Sequence, residues 1–324
     1  MQDVTVSIDS SHPVADIRML PIISLNPNDM TCIFSTLTFL EKQATRLNME
    51  TACVTFDQPL YIKAVEVSFS SDLRVVCRLG GFHLLMNFLG AIGDIMAGSG
   101  LSDALETCYG LVKITHMMTG KAYSKAIRGH FLSESALMVS LLEKLFDSTV
   151  DVVDVATIEH TDINELKQLY LNISDHTLQF TDDQCQMDCM RKLHEAVTAY
   201  KLELVKSDRT ATLWMQYLSY IGIVKQFLRA ERTSNWKLHL HSIAQMLNLF
   251  AAAGHKNYCK CARLYLQLMT ELPTTHPWLH EQLSSDRHAV RRSDRHWAGI
   301  SPDLAIEQLL MRPVHSRGGL THGR

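Results

Sequence analysis

Between Thr51 and Phe88 the spacing of apolar residues changes period repeatedly, and the rest of the chain is arranged about that stretch. Ala52–Phe56 is a short, largely apolar run that stops at Asp57, followed by Gln58 and Pro59. A short run bounded by turn residues predicts a buried strand, and a proline just after it suits the first turn of a helix. The helix is expected from about Pro59 to Ser68, a second strand over Leu73–Leu79, and a second helix over Gly81–Met96. Two strands joined by a helix form a parallel crossover, which puts both strand C-termini on one edge. Asp57 and His83 are thereby expected to face the same crevice, where open α/β sheets carry their chemistry.

Upstream, Leu20–Leu25 reads as a short strand or extended segment, and Asn28–Thr31 provides start signals for a helix over Cys32–Leu47. Gly98-Ser99-Gly100 breaks the pattern and Ser102–Tyr109 reads as a short helix. From Lys121 onward apolar residues recur at three and four, predicting helices at Lys121–Phe146, Asp162–Leu171, Asp182–Lys206, Thr210–Arg232, Trp236–Ala253 and His255–Glu271, with Val150–Ala156 the one candidate strand. Short connections make this a helical array of antiparallel neighbours, and no internal repeat period marks it as a solenoid. The character changes again at Ser284: a basic segment with Arg287, Arg291, Arg292 and Arg295 leads into a helix that Ser301 or Asp303 can cap, with Glu307 one turn beyond Asp303. The fold class is α/β with predominant α, in four parts: an irregular segment 1–19, an α/β core 20–120, helices 121–283, and a return to the core at 284–324.

Composition narrows the function classes without naming one. Apolar residues are 46% and charged residues 20% of the 324, ordinary for a folded protein. A net charge of −3 and a pI near 6.6 give no global attraction to nucleic acid or membrane, so such contacts fall to local patches. The eight cysteines sit mostly within apolar patterns, as in a reducing compartment. No apolar leader and no run of ~18 apolar residues is present, which predicts a soluble intracellular chain with no membrane partner.

Asp57, at a strand end, is the leading chemical candidate; its plainer role is to cap the helix that follows. Glu307 is second, against a solvated carboxylate paired with Arg312. His83 can bind phosphate, orient a carboxylate, or bond to backbone as a half-buried histidine. Asp94 reads as a surface residue. Cys185-x3-Cys189 with His194, and His255-x3-Cys259-x-Cys261, superficially suggest zinc but match no finger or knuckle spacing. Trp214, Tyr217 and Tyr220 read as helix-packing residues rather than a base-stacking platform. No P-loop, no GxGxxG after a strand and no GxSxG occurs.

Three segments together, FDQPLYIKA (Phe56–Ala64), RLGGFHLLMNFLGAIGDIMAGSG (Arg78–Gly100) and RRSDRHWAGISPDLAIEQLLMR (Arg291–Arg312), resemble a family of uncharacterised animal proteins derived from mobile elements, itself similar to ribonuclease H-like transposases of the hAT, DDE type. LNPNDMTCIFSTLTFL and GKAYSKAIRGHFL fit it as well, so the resemblance covers roughly residues 20–324. It implies a partial ribonuclease H-like core interrupted by a helical insertion. It also implies Mg2+ held by acidic residues that direct DNA strand cleavage and transfer, with Asp57 as second acid, Glu307 as third, His83 beside Asp57, and Arg287, Arg291, Arg292 and Arg295 as phosphate contacts. DNA and a nuclear location follow from the same resemblance. The first acid of such proteins has no matching stretch here, Asp9 being a poor substitute, so the chain is expected to be a fragment or decayed copy without activity of its own. The alternatives are a helical protein-interaction module, with a protein partner or second copy bound through the helical region, and a nucleic-acid-binding module.

Overall fold

In the computed structural model the described residues are 13–18, 23, 25–147, 158–175 and 187–311. The strand expected over Val150–Ala156, most of Leu20–Leu25, and Asp9, Cys185 and Arg312 lie outside them. The described chain is predominantly helical with a small parallel sheet, and it divides into two compact units.

The first unit contains the described residues of His12–Ile127, Ile223–Asp294 and Ala298–Arg324. It opens with α1 (Met30–Arg46), capped by Asp29, whose side chain accepts a bond from Thr31 N at 2.9 Å. β1 (Ala52–Phe56) and β2 (Val75–Leu79) pair in parallel in the register Ala52↔Val75 to Phe56↔Leu79, with α2 (Gln58–Ser70) between them. Every residue of β2 is buried, whereas β1 is buried only at Ala52. α3 (Gly81–Ile95) follows directly and buries Leu84, Leu85, Phe88, Leu89 and Ile92. Its apolar face is broad because other helices pack on it from more than one side.

After α4 (Leu101–Glu106) and α5 (Leu111–Met118), the latter not foreseen from the spacing, Gly120 brings the chain hard against α3. Its φ is +74°, and a Cβ there would lie 1.9 Å from the Met86 carbonyl, so only glycine fits. α6 (Tyr123–Asp147) then departs. The second unit, mainly Arg128–Gly222, holds most of α6 together with α7 (His160–Ser174), α8 (Asp188–Ser207) and the first half of α9 (Arg209–Thr233). Here Lys192 of α8 reaches Asp162 of α7 at 3.1 Å, and the buried pair His130 and Tyr217 is joined at 3.0 Å. Tyr217 is fully buried and Trp214 meets it edge-on, so both are packing residues.

The chain re-enters the first unit at Ile223, earlier than the composition change at Ser284 suggests. α10 (Trp236–Ala252) packs on α3, and α11 (Lys256–Thr275) packs on α2 and β2. Phe88 and Phe250 meet edge-on at 5.7 Å, and Tyr61 faces Tyr265 in the same manner at 6.3 Å. Fully burying side chains of this size stabilises by roughly 1.5–3 kcal/mol each, which is why these helices cluster with the strands. After α12 (Pro277–Gln282) and a π turn, Leu283–Arg287, a two-residue antiparallel pair forms from β3 (Val290–Arg291) and β4 (Gly299–Ile300). α13 (Pro302–Ile306) and a π turn, Glu307–Met311, close the described chain.

Candidate functional site at the strand edge

The parallel pairing puts Asp57, just past β1, and the Gly80–His83 turn, just past β2, on the same sheet edge. Asp57 is the N-cap of α2: its backbone is extended, and its Oδ1 accepts a long 3.4 Å bond from Leu60 N. It is half-buried. The residue expected as a metal ligand fills the plainer capping role.

α13 arrives at this edge, but its Asp303, not Glu307, makes the decisive contacts. Asp303 Oδ1 accepts from Phe82 N at 3.1 Å, and Oδ2 from His83 N at 3.1 Å and His83 Nδ1 at 3.0 Å. A carboxylate there satisfies free donors at the start of α3 and complements the helix dipole. Gly80 makes room for it, since a Cβ on Gly80 would lie 2.4 Å from Asp303 Oδ2. Ser301 occupies the N-cap position of α13 without capping it; its hydroxyl is turned to Glu231 instead.

His83 is consequently held above the ordinary histidine range, first by its bond to Asp303, against the opposing effect of partial burial, and further by the charges of Asp303, Asp57 and Glu307. Of the three carboxylates, Asp303 is the one in contact with the imidazole. Glu307 is half-buried at the head of the last π turn. Tyr258 of α11 completes the setting: burial, together with the charges of Asp57, Cys261 and Asp303, pushes its hydroxyl up. Beside it an open, polar recess is lined by Gln58, Asn87, His255, Lys256 and Tyr258. Asp94, read as a surface residue, accepts from His255 here at 2.8 Å, while His255 Nδ1 meets Asn87 Oδ1 at 2.6 Å.

These residues do not fit a two-magnesium site. Asp303 already uses both oxygens on α3 and His83. Asp57, His83, Asp303 and Glu307 offer no three ligand atoms within 4.8 Å of one another; among the described residues only Glu231, His239 and His288 do. Among the described residues of the cysteine sets no metal group gathers: His255 is engaged by Asn87 and Asp94, Cys259 is 3.8 Å from the Leu247 carbonyl, and Cys189 and Cys261 are buried thiols.

The four arginines separate. Arg291 is buried and donates from Nη2 to the Thr233 carbonyl at 2.9 Å, which makes it a structural strut rather than a phosphate contact. Arg287 and Arg292 are exposed, donating to Gln282 at 2.6 Å and Gln308 at 3.2 Å. Arg292 thus stands beside the turn that carries Glu307. Arg295 is exposed and belongs to the other unit.

A second polar cluster lies in the interior of the same unit. Glu231, at the end of α9, accepts from His239 Nδ1 at 2.7 Å and from Ser301 Oγ at 2.5 Å. His239 Nε2 takes the Tyr265 hydroxyl at 3.2 Å. Burial pushes His239 down to about 4; against its own burial Glu231 is held well below the usual carboxylate range, chiefly by His239. Arg78 of β2 donates to the His288 carbonyl at 2.8 Å and lies 5.3 Å from the Trp236 ring centroid.

The described residues thus form a helix-dominated α/β protein with an ionisable crevice at the C-terminal edge of a parallel strand pair. The chain belongs to the family described as a domain of unknown function, DUF8702, whose model matches residues 1–324. No curated protein and no solved structure matches it. No helix among the described residues is long and apolar enough to cross a membrane.

Proposed function

We propose that this chain is a degenerate ribonuclease H-like, transposase-derived protein that binds DNA without cutting it. The observation that carries the reading is the docking of Asp303, from the last helix, onto Phe82 and His83 at the strand edge where Asp57 ends β1. After a long helical excursion the chain returns an acidic helix to the strand edge where it left Asp57. That is the layout the resemblance implies, with a different carboxylate in the contact position. Asp303 serves α3 and His83, so the crevice holds its acids for structure, and the exposed Arg287 and Arg292 supply contacts to a polyanion.

The test is a pair of assays on one preparation. Duplex binding should weaken linearly in log affinity against log salt, and Arg287→Ala and Arg292→Ala should each flatten that slope by about 1. Incubation of the DNA with Mg2+ or Mn2+ should leave it uncut. Metal-dependent nicking abolished by Asp57→Asn would show an intact catalytic site and overturn the reading, as would the absence of any salt-dependent DNA binding.

A second reading, a helical module that binds a protein partner, is favoured by an apolar recess in the other unit lined by Leu142, Phe146, Ile163, Leu166, Tyr170 and Leu193. Phe146 and Tyr170 are 48% and 70% exposed. A change in oligomeric state on Tyr170→Glu would support it.

A further inference from the structure

We propose that Glu231, His239 and His288 form a buried zinc site that fastens the end of α9 and the His288 segment to the core. These are the only three His, Cys, Asp or Glu side chains among the described residues whose ligand atoms lie within 4.8 Å of one another, and all three are buried. They come from different segments: the last turn of α9, the first turn of α10, and the link between the Leu283–Arg287 turn and β3.

The second observation is His288 itself. Its side chain is 0% exposed and neither ring nitrogen has a hydrogen-bond partner. Burying an imidazole with both nitrogens unsatisfied carries the full desolvation cost of each unpaired group. Its Nε2 points at Glu231 Oε1 from 3.6 Å, too far for a hydrogen bond. The other edge of the triangle, His239 Nδ1 to Glu231 Oε1, is 2.7 Å. Zinc bonds of ~2.0–2.2 Å in tetrahedral array separate neighbouring donors by roughly 3.3–3.5 Å. For an ion to sit among them the His239–Glu231 edge must open by less than about an ångström and the His288–Glu231 edge is already near that spacing, while the third edge, between the two imidazoles, lies within 4.8 Å.

Two of the three proposed ligands are held from outside. Ser301 Oγ bonds Glu231 Oε2, leaving Oε1 to face both imidazoles, and Tyr265 meets the far nitrogen of His239. Such outer partners orient Glu231 and His239. His239 would bind through Nδ1 as its other tautomer, its proton moving to Nε2 where the Tyr265 oxygen accepts it. Arg78 bonds the His288 carbonyl and opposes added positive charge in the cluster. Two nitrogen donors and a single carboxylate favour zinc over magnesium or calcium, which take oxygen.

The experiment uses the full chain expressed with supplementary zinc. After gel filtration, elemental analysis should find roughly one zinc per chain. Replacement by Co2+ should give the visible bands of a tetrahedral nitrogen–oxygen site, without the near-ultraviolet absorption of thiolate ligation. His288→Gln should lose the ion while retaining its far-ultraviolet dichroism. A folded wild-type chain that neither retains nor takes up zinc or cobalt overturns the assignment without recourse to any variant. So does thiolate absorption in the cobalt form, which moves the ion to the cysteines, and so does undiminished zinc in folded His288→Gln.

Discussion

Asp303 Oδ2 and His83 Nδ1, 220 positions apart in the chain, are joined at 3.0 Å, and the same carboxylate takes the backbone N–H groups of Phe82 and His83. One side chain from α13 therefore caps α3 and orients the imidazole at its head. Asp303→Asn keeps the shape but removes the charge and turns an NH2 toward donors. The variant should lose about 2–3 kcal/mol of stability in urea unfolding, the range for breaking a buried charge-assisted network. The imidazole of His83 should titrate lower by NMR than in the parent. The pair's contribution has a defined sign: His83 is raised in the folded chain, so its share is fully present below the ordinary histidine value and is lost as pH rises through the raised one. With the His83 side chain 37% exposed, solvent screening keeps that share small.

Gly80 controls whether Asp303 can reach its place. A methyl group there would stand 2.4 Å from Oδ2 and 3.1 Å from the Phe56 carbonyl, and that carbonyl is fixed because it accepts from Gly80 N at 2.8 Å. Gly80→Ala should therefore displace Asp303 and reproduce the titration shift of Asp303→Asn. The double variant should be less destabilised than the sum of the single ones, since both act through one contact. Additive losses in a double-mutant cycle would separate the two residues.

Much of the first unit was legible in the sequence, because strand, helix and turn there each obey a local rule. β1, β2, α2 and α3 fall within two residues of the spans expected, and the shared strand edge follows from the parallel crossover. The site was legible only in part. Asp57 and His83 lie where the pattern puts them, but in the sequence Glu307 is the expected site acid and Asp303 only a helix cap. What singles out Asp303 is the space left by Gly80, a tertiary fact. Glu231, His239 and His288 left no signature, since their separations of eight and 49 residues match no ligand motif and each sits in an ordinary helix end or link. The inward turn of Arg291 was hidden for the same reason: alternation in a basic run says nothing of a partner such as the Thr233 carbonyl.

His130 supplies an acid-sensitive contribution in the helical unit. It is 1% exposed, bonds Tyr217 at 3.0 Å, and burial pushes it down to about 4. The unfolded chain takes up a proton on this residue near pH 6.5, whereas the folded chain resists until about 4, so stability falls as pH drops through that interval and then levels. The displacement corresponds to about 3 kcal/mol. His239 titrates with the same sign in the other unit. His130→Gln should cost stability at neutral pH yet flatten the decline between pH 6.5 and 4, measured as the urea midpoint against pH. An unchanged slope would assign the acid limb to other groups.

Asp57 separates a capping role from a metal role by the choice of replacement. Asparagine accepts the N-cap bond about as well as aspartate, whereas alanine cannot, and the loss of a cap costs about 0.5–2 kcal/mol. The capping bond here is long at 3.4 Å, which places the expected loss at the lower end of that range. Asp57→Asn should therefore be nearly neutral in stability, and Asp57→Ala should lose about 0.5–1 kcal/mol. Neither variant should alter how the melting temperature responds to magnesium, because Asp303 is committed to α3 and no compact set of donors among the described residues includes Asp57. If millimolar magnesium instead raised the melting temperature of the parent, and Asp57→Asn removed that rise while keeping the stability of the metal-free chain, Asp57 would be an ion ligand and the crevice a working metal site.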